Sequence, residues 1–314
     1  MKLKCEKVIT KKNLEGYSMK DNKLENIFWF AINNNEFYRD LYSPYVVKKE
    51  KFDDLFFELP IVKKAMLQEY CEKTLSIPYK YYPKSKDVTI IRSSGSTGQY
   101  LKIYWDRKDI TRSLFPSWAW RKKYYDITPK DKYISFHTVR HFNNKFIEKI
   151  PPIDIINERH TSFSKLDLCE ERIKIYFEYM ESFQPVWIHT QPSIMSLLLE
   201  YVYSGSYNLP SSVKYIESTG EYLDNTIKNK LQNDLNVKIA NNYGCTEANY
   251  IACECPYGHM HILKDNVLVE ILDVDVTTSS DTNNKCPDES LTFSLISATF
   301  SISPLMFVTV SVTE

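Results

Sequence analysis

The chain has 314 residues, with 40 Lys plus Arg against 40 Asp plus Glu. That length supports one large or two ordinary domains with a sizeable core, and the balanced charge argues against the basic footprint of a dedicated nucleic-acid binder. Seven cysteines without framework spacing, and no basic-then-apolar leader, point to a reducing cytoplasm and no disulfides.

Residues 1–86 read mainly as helices and connections. Leu24 to Phe30 and Phe52 to Leu59 carry apolar residues at helical spacing, and Leu59-Pro60-Ile61-Val62 is an extended break before a polar helix through Lys64 to Lys73. The period then changes to that of strands at Asp87 to Arg92 and Leu101 to Trp105, with a Ser/Gly loop between them. Asp106 can cap a helix running toward Tyr125, bent near Pro116. A strand at Lys132 to Phe136 and a helix over Glu170 to Phe183 follow, the latter with Ile173, Tyr176, Tyr179, Met180 and Phe183 on one stripe. Strands are expected at Pro185 to His189, Val213 to Glu217 and Val237 to Ala240. Helices between them start at Pro192 and span Thr226 to Leu235. This alternation predicts an α/β layer with a largely parallel sheet.

Only seven glycines occur, and four lie in three short segments: Ser94-Gly95-Ser96-Thr97-Gly98, Ser218-Thr219-Gly220-Glu221 and Tyr243-Gly244-Cys245-Thr246-Glu247. A Ser/Thr/Gly loop offers backbone N–H groups and hydroxyls to phosphate oxygens. It is not a Walker loop, because no Gly-Lys-Ser/Thr follows and a strand comes next. The two later segments begin at strand ends, where ligands bind in open α/β sheets.

These motifs, followed by Glu254-Cys255 and supported by Leu59 to Lys64, Trp120-Arg121 and Ile127-Thr128-Pro129-Lys130-Asp131, resemble the adenylate-forming acyl/aryl-acid ligases. Within them the sequence is most similar to the phenylacetate-CoA ligase group, including its capsular-polysaccharide-biosynthesis branch, over roughly residues 50–272. The resemblance implies ATP- and Mg²⁺-dependent activation of a small-molecule carboxylic acid to acyl-AMP with release of pyrophosphate, then transfer to coenzyme A. It implies that Ser94, Gly95, Ser96, Thr97 and Gly98 hold the pyrophosphate part of ATP, with Lys102 nearby. Tyr100 stands where many relatives have proline, and Lys102 is displaced from the usual lysine position. Gly220 and Glu221 would border the adenine, Tyr243 would stack on it beside Gly244, Thr246 would bond the α-phosphate, and Glu247 would bind magnesium. Two anions must meet in this reaction, so backbone donors, lysine and metal rather than a protein nucleophile carry the chemistry. Trp118, Trp120, His137 and His189 are candidates for the acid pocket, whose substrate the sequence does not specify.

In a hairpin turned at Pro256-Tyr257-Gly258, Cys253 and Cys255 project on one face and His259 and His261 are likewise paired. Two readings stand: a zinc site, or ordinary hairpin residues beside the active site. The later Cys-x-Cys pair that some relatives place near such a metal is absent, and only Cys286 remains. Isolated residues such as Cys169 read as packed or solvated side chains.

After Gly258 there is no further glycine or tyrosine, and Ser and Thr become dense. The expected organisation is therefore an N-terminal helical part over residues 1–86, an α/β AMP-binding core over 87–273, and a divergent tail over 274–314, shifted in frame or degenerate. The fold expected is the large N-terminal domain of an adenylate-forming enzyme, mostly parallel sheets flanked by helices, with the small C-terminal domain missing. The alternative function is an impaired homologue that only binds nucleotide or a protein partner. Leu291 to Val312 carries no charge and is long enough to span a bilayer, but Pro304 and strand-like alternation disfavour a span. A homodimer stays open.

Overall fold

A computed structural model describes residues 23–46, 52–56, 58–70, 73–76, 88–92, 101–137, 152–273, 291–296 and 306–312. The expected phosphate loop Ser94–Gly98 and Cys286 lie outside this set. Two compact units are formed, one from Met1–Pro116, Cys245–Ile251 and Ile262–Glu314, the other from Ser117–Gly244 and Ala252–His261.

In the first unit, α1 (Lys23–Asn34), α2 (Glu36–Val46), α3 (Phe52–Phe56) and α4 (Lys64–Glu69) precede an antiparallel pair, β1 (Val88–Arg92) with β2 (Lys102–Asp106). Their shared core gathers Phe28, Phe37, Tyr38, Tyr42 and Leu55 with Ile103 and Trp105 of β2. Alternation puts Lys102 on the exposed side of that strand. The helix α5 (Arg107–Tyr125) starts where expected, because the Asp106 carboxylate accepts from the Lys108 amide at 2.7 Å. This unit also holds a three-stranded sheet in which β13 (Met306–Val312) lies between β11 (Val267–Asp273) and β12 (Leu291–Ile296), parallel to the first and antiparallel to the second. Two segments of the tail expected to diverge are thus strands of this sheet, β13 pairing with β11 and β12 with β13. Among the described residues no helix is long and apolar enough to cross a membrane.

The larger sheet belongs chiefly to the second unit. Its eight strands are β3 (Tyr133–His137), β4 (Ile153–Asn157), β5 (His160–Ser164), β6 (Trp187–Thr190), β7 (Tyr215–Thr219), β8 (Lys238–Cys245), β9 (Asn249–Glu254) and β10 (Met260–Ile262). They lie in the order β10-β9-β8-β7-β6-β3-β5-β4. The pairs β5/β3, β3/β6, β6/β7 and β7/β8 are parallel. Parallel neighbours need crossovers, which α7 (Pro192–Tyr203) and α8 (Asn225–Leu235) supply between β6, β7 and β8, while α6 (Glu170–Phe183) precedes β6.

Both faces of the central strands are buried, as in parallel sheets generally. One face packs Ile134, Phe136, Phe163, Ile188, Ile216 and Ile239 against Ile173, Tyr176, Met180 and Leu198 of the helices. On the other face Tyr133 stacks on Trp187 at 4.4 Å between ring centres, and Tyr215 stacks on Tyr125 of α5 at the same separation. Helix ends follow local chemistry: α6 stops at left-handed Gln184, φ 52°, and α7 begins with Pro192 in its first turn and is followed by Gly205 at φ 74°.

Two expectations are corrected. The segment between β3 and α6 contains the hairpin β4–β5, not anticipated from the sequence because His160–Ser164 is polar yet buried on both faces. Its hydroxyls are satisfied locally, as where Thr161 Oγ1 meets the Tyr179 hydroxyl at 2.9 Å. The strand expected to close at Ala240 instead continues through Cys245, so Tyr243 and Gly244 lie within β8 and not after it.

Ile188, 2% exposed in the middle of the sheet, tests this core. Ile188→Ala is expected to lower unfolding free energy by about 2–5 kcal/mol, read from the urea midpoint with an unchanged m-value.

Candidate functional site

The second and third motifs sit at the carboxyl ends of neighbouring parallel strands: Thr219 of β7 is in register with Asn242 of β8. Just past Thr219, Gly220 takes φ +80°, a conformation that side chains disfavour, and a Cβ there would meet Gln191 Cγ at 3.7 Å. The Glu221 carboxylate accepts from both the Ser193 amide, at 3.0 Å, and the Ser193 hydroxyl, at 2.9 Å. Gln191, the residue before α7, makes no side-chain cap, so Glu221 meets one amide of that helix's first turn, Ser193, from the neighbouring loop. Asp224 caps α8 through Thr226 N and Ile227 N. The loop from Gly220 to Asp224 is thereby pinned to two helix N-termini.

Beneath these strand ends lies a charge pair that sequence reasoning missed. Glu217 is 2% exposed and receives Arg121 Nε and Nη2 on its two oxygens, each at 2.7 Å. Asn242 Nδ2 donates to it at 3.0 Å and the Tyr215 hydroxyl at 3.1 Å. The Arg121 guanidinium lies 4.6 Å from the Trp118 ring centre and 4.9 Å from that of Trp187, a stacked setting that suits arginine. Burial pushes the Glu217 pKa up, but the charge and hydrogen bonds of Arg121, helped by His189 and Asn242, outweigh it and hold the group at about 2. His189, a quarter exposed, has Nε2 3.6 Å from Glu217 Oε1. Burial lowers its pKa to about 4 against the pull of Glu217, with Arg121 and His137 adding to the drop, so the ring is neutral at pH 7. Of the other residues considered for an acid pocket, His137 shares Ser135 Oγ with His160, at 3.0 and 2.7 Å, and Trp120 Nε1 donates to the Glu254 carbonyl at 2.9 Å. Cys169 is exposed at the start of α6.

In the first unit, Trp105 Nε1 of β2 donates to the Thr246 carbonyl at 3.0 Å, fixing the turn after β8. Glu247 in that turn is 8% exposed. Burial, reinforced by the nearby Glu247 charge, pushes the Cys245 thiol up to about 12, so it is protonated and unreactive at neutral pH.

At the far edge of the large sheet, the ligand atoms of Cys255, His259 and His261 all lie within 4.8 Å of one another. Cys253 is not among them. Strand β9 ends at Glu254 and the chain turns through Cys255 to Gly258, so strand alternation does not carry Cys253 and Cys255 to one cluster. The Cys253 thiol is buried, with its pKa raised by that burial and by Glu217.

No protein-family model matches the sequence, and no curated protein matches it. Solved structures do. A crystal structure of 2-hydroxyisobutyryl-CoA ligase with 2-HIB-AMP and CoA in the thioesterification state aligns with TM-score 0.59 and 16% identity over 79% of this chain and 55% of that one. An open conformation of the same ligase with both molecules gives 0.57 and 16% over 77% and 57%. Its postadenylation state with 2-HIB-AMP gives 0.58 and 16% over 79% and 54%. The chain has the fold of these ligases. It spans little more than half of their length, and the match lies in the mixed, mostly parallel sheet with its flanking helices.

Two predictions follow from the buried pair. Replacing its cation, Arg121→Met, leaves an uncompensated carboxylate and is expected to cost about 3–5 kcal/mol of stability, measured by urea unfolding at pH 7. The pH dependence has a defined sign. The unfolded chain protonates His189 near 6.5 but the folded one only near 4, so stability falls as pH drops through that interval. Glu217 adds a further loss from 4.5 toward 2. His189→Gln should flatten the upper part of the acid limb and leave the lower part, in a series of unfolding curves from pH 7.5 to about 3.

Proposed function

We propose that this chain activates a carboxylic acid with ATP, forming an acyl-AMP and pyrophosphate, and then passes the acyl group to coenzyme A. What supports the reading most is the position of Gly220-Glu221 and Tyr243-Gly244 at the ends of adjacent parallel strands, in a fold shared with ligases captured with an acyl-AMP. The roles are those expected for the motifs. Ser94 to Gly98 and Lys102 take the phosphates, Gly220 and Tyr243 border the base, and Thr246 bonds the α-phosphate. Glu221, whose carboxylate caps α7, contributes by holding the loop in shape.

Glu247 is assigned to magnesium. One protein carboxylate is a normal share for this hard cation, which takes its remaining oxygens from phosphate and water. When bound, the metal neutralises phosphate charge so that a carboxylate can approach the α-phosphorus. The chain's own part is to hold Glu247 and Thr246 in one turn, through the Trp105 hydrogen bond, and to present backbone donors without a protein nucleophile. Membership of the phenylacetate-CoA ligase group, a cytoplasmic location and a link to polysaccharide biosynthesis belong to this reading, which leaves the acid open.

The test is acid-dependent exchange of labelled pyrophosphate into ATP, across aryl, hydroxy and short acyl acids, with native chain and Glu247→Ala. Exchange with at least one acid, reduced about 100-fold or more in the variant at unchanged circular dichroism, is the expected result. A folded native chain that exchanges with none of them would overturn the reading in favour of a nucleotide-binding homologue.

A further inference from the structure

Resting on the activation reading above, we propose that His189 reads the chain of the acid. Its imidazole hydrogen-bonds an uncharged polar group there, a hydroxyl or an amide, so that acids carrying one are activated in preference to hydrocarbon, dicarboxylic or amino acids. In the large sheet β3 lies between β5 and β6. The chain therefore leaves β3 toward one edge, to β4 and β5, and leaves β6 toward the other, through α7 to β7. In open α/β sheets the ligand crevice opens outside the carboxyl ends of strands at such a reversal. His137 is the last residue of β3 and His189 the last but one of β6. Neighbouring strands stand about 4.8 Å apart, so His189 is one such step from β7, whose end leads into Gly220.

The His189 ring is unsatisfied where it stands. At 3.6 Å its Nε2 is too far from Glu217 Oε1 for a hydrogen bond, and among the described residues the ring makes none. A neutral imidazole offers one donor and one acceptor, and burial keeps this one neutral at pH 7. A quarter of the side chain stays exposed, which leaves the ring open to a ligand. Trp187 lies beside it, edge to face, with ring centres 6.3 Å apart, and Ser135 is its register partner on β3.

The neighbours of His189 decide which ligand group fits. Arg121 meets the Glu217 charge through two nitrogens, and Tyr215 and Asn242 donate to the same carboxylate. An ammonium group on the acid would find that carboxylate already matched. A second carboxylate would be brought beside the Glu217 charge, which repels it. Across the crevice, Ser135 Oγ is engaged by His137 and His160 at 3.0 and 2.7 Å. A hydrocarbon chain laid over this strip would take water from the His189 ring and return no hydrogen bond, the costly case for a polar group. A hydroxyl or an amide supplies both a donor and an acceptor.

The test is pyrophosphate exchange with matched acids: butyrate, 3-hydroxybutyrate, succinamate, succinate and β-alanine in one series, phenylacetate and 4-hydroxyphenylacetate in another. In at least one series a hydroxy or amide acid should exceed its hydrocarbon parent about tenfold or more in kcat/KM, and exceed succinate and β-alanine as well. The native chain's ratio decides first and needs no variant. His189→Leu should bring that ratio to about one, and His189→Gln, which keeps a donor and an acceptor, should retain part of it, each read within one variant at unchanged circular dichroism. Exchange in which the hydrocarbon or charged acids equal or exceed the polar ones overturns the proposal and leaves activation standing, as does a preference that survives in folded His189→Leu. Exchange with no acid overturns activation, and calorimetric binding of the same acids then decides the role of His189. Tighter binding of the polar acid, lost in His189→Leu, upholds it; equal or absent binding overturns it.

Discussion

Arg121 and Glu217, 96 residues apart in sequence, form the contact on which the second unit turns. A carboxylate with almost no access to solvent is tolerable only if its charge and all its lone pairs are met. Arg121 meets the charge and is itself wrapped by Trp118 and Trp187. The remaining acceptor sites go to Tyr215 and Asn242. One carboxylate thereby ties α5, β6, β7 and β8 together at a single level of the sheet. Its position also bears on the motifs. Glu217 immediately precedes Ser218, and Asn242 immediately precedes Tyr243, so the residues next to both segments are the ones locked to the pair. The network holds the strand ends still, and the loops beyond them inherit that rigidity.

Elements whose burial follows a simple period were readable from sequence. The stripe of Ile173, Tyr176 and Met180 marked α6 to the residue, and Pro192 marks a helix start by its own backbone chemistry. The α/β class came from the alternation of these elements, and the solved ligases share that fold. What escaped is what period does not encode. Strand β5 is mostly polar and buried on both faces, β8 runs five residues beyond its apolar stretch, and Cys255 falls past the end of the strand that buries Cys253. The Arg121–Glu217 pair was invisible because nothing in either residue's neighbourhood names the other. Of the candidate site, the order and spacing of the motifs could be read. The tie from Glu221 to the N-terminus of α7 could not, because its partner Ser193 lies 28 residues away.

Glu221 and Glu254 share a design. Each is a motif carboxylate with one oxygen on a backbone amide of another element, Ser193 in one case and Asn241 in the other, and the second oxygen on a side chain, the Ser193 hydroxyl or Lys228. A charged acceptor makes a stronger bond to an amide than a neutral one does, so Glu221 fastens a loop to a helix with which it has no regular pairing, and Glu254 adds a side-chain tie between the neighbouring strands β9 and β8. Substituting such residues would change local geometry before it changed any contact with a ligand, and loss of activity alone would not reveal which had occurred.

The three-stranded sheet has a temporal implication. Its central strand is β13, and β11 lies beside it with 32 residues between Asp273 and Met306. During synthesis β11 emerges with neither sheet partner in place, and β12 appears before the strand that will join them. This sheet therefore assembles by long-range closure, a slow route. Until β13 arrives an unpaired β11 edge is exposed to other nascent chains, and yield in a cell would depend on how promptly that strand follows.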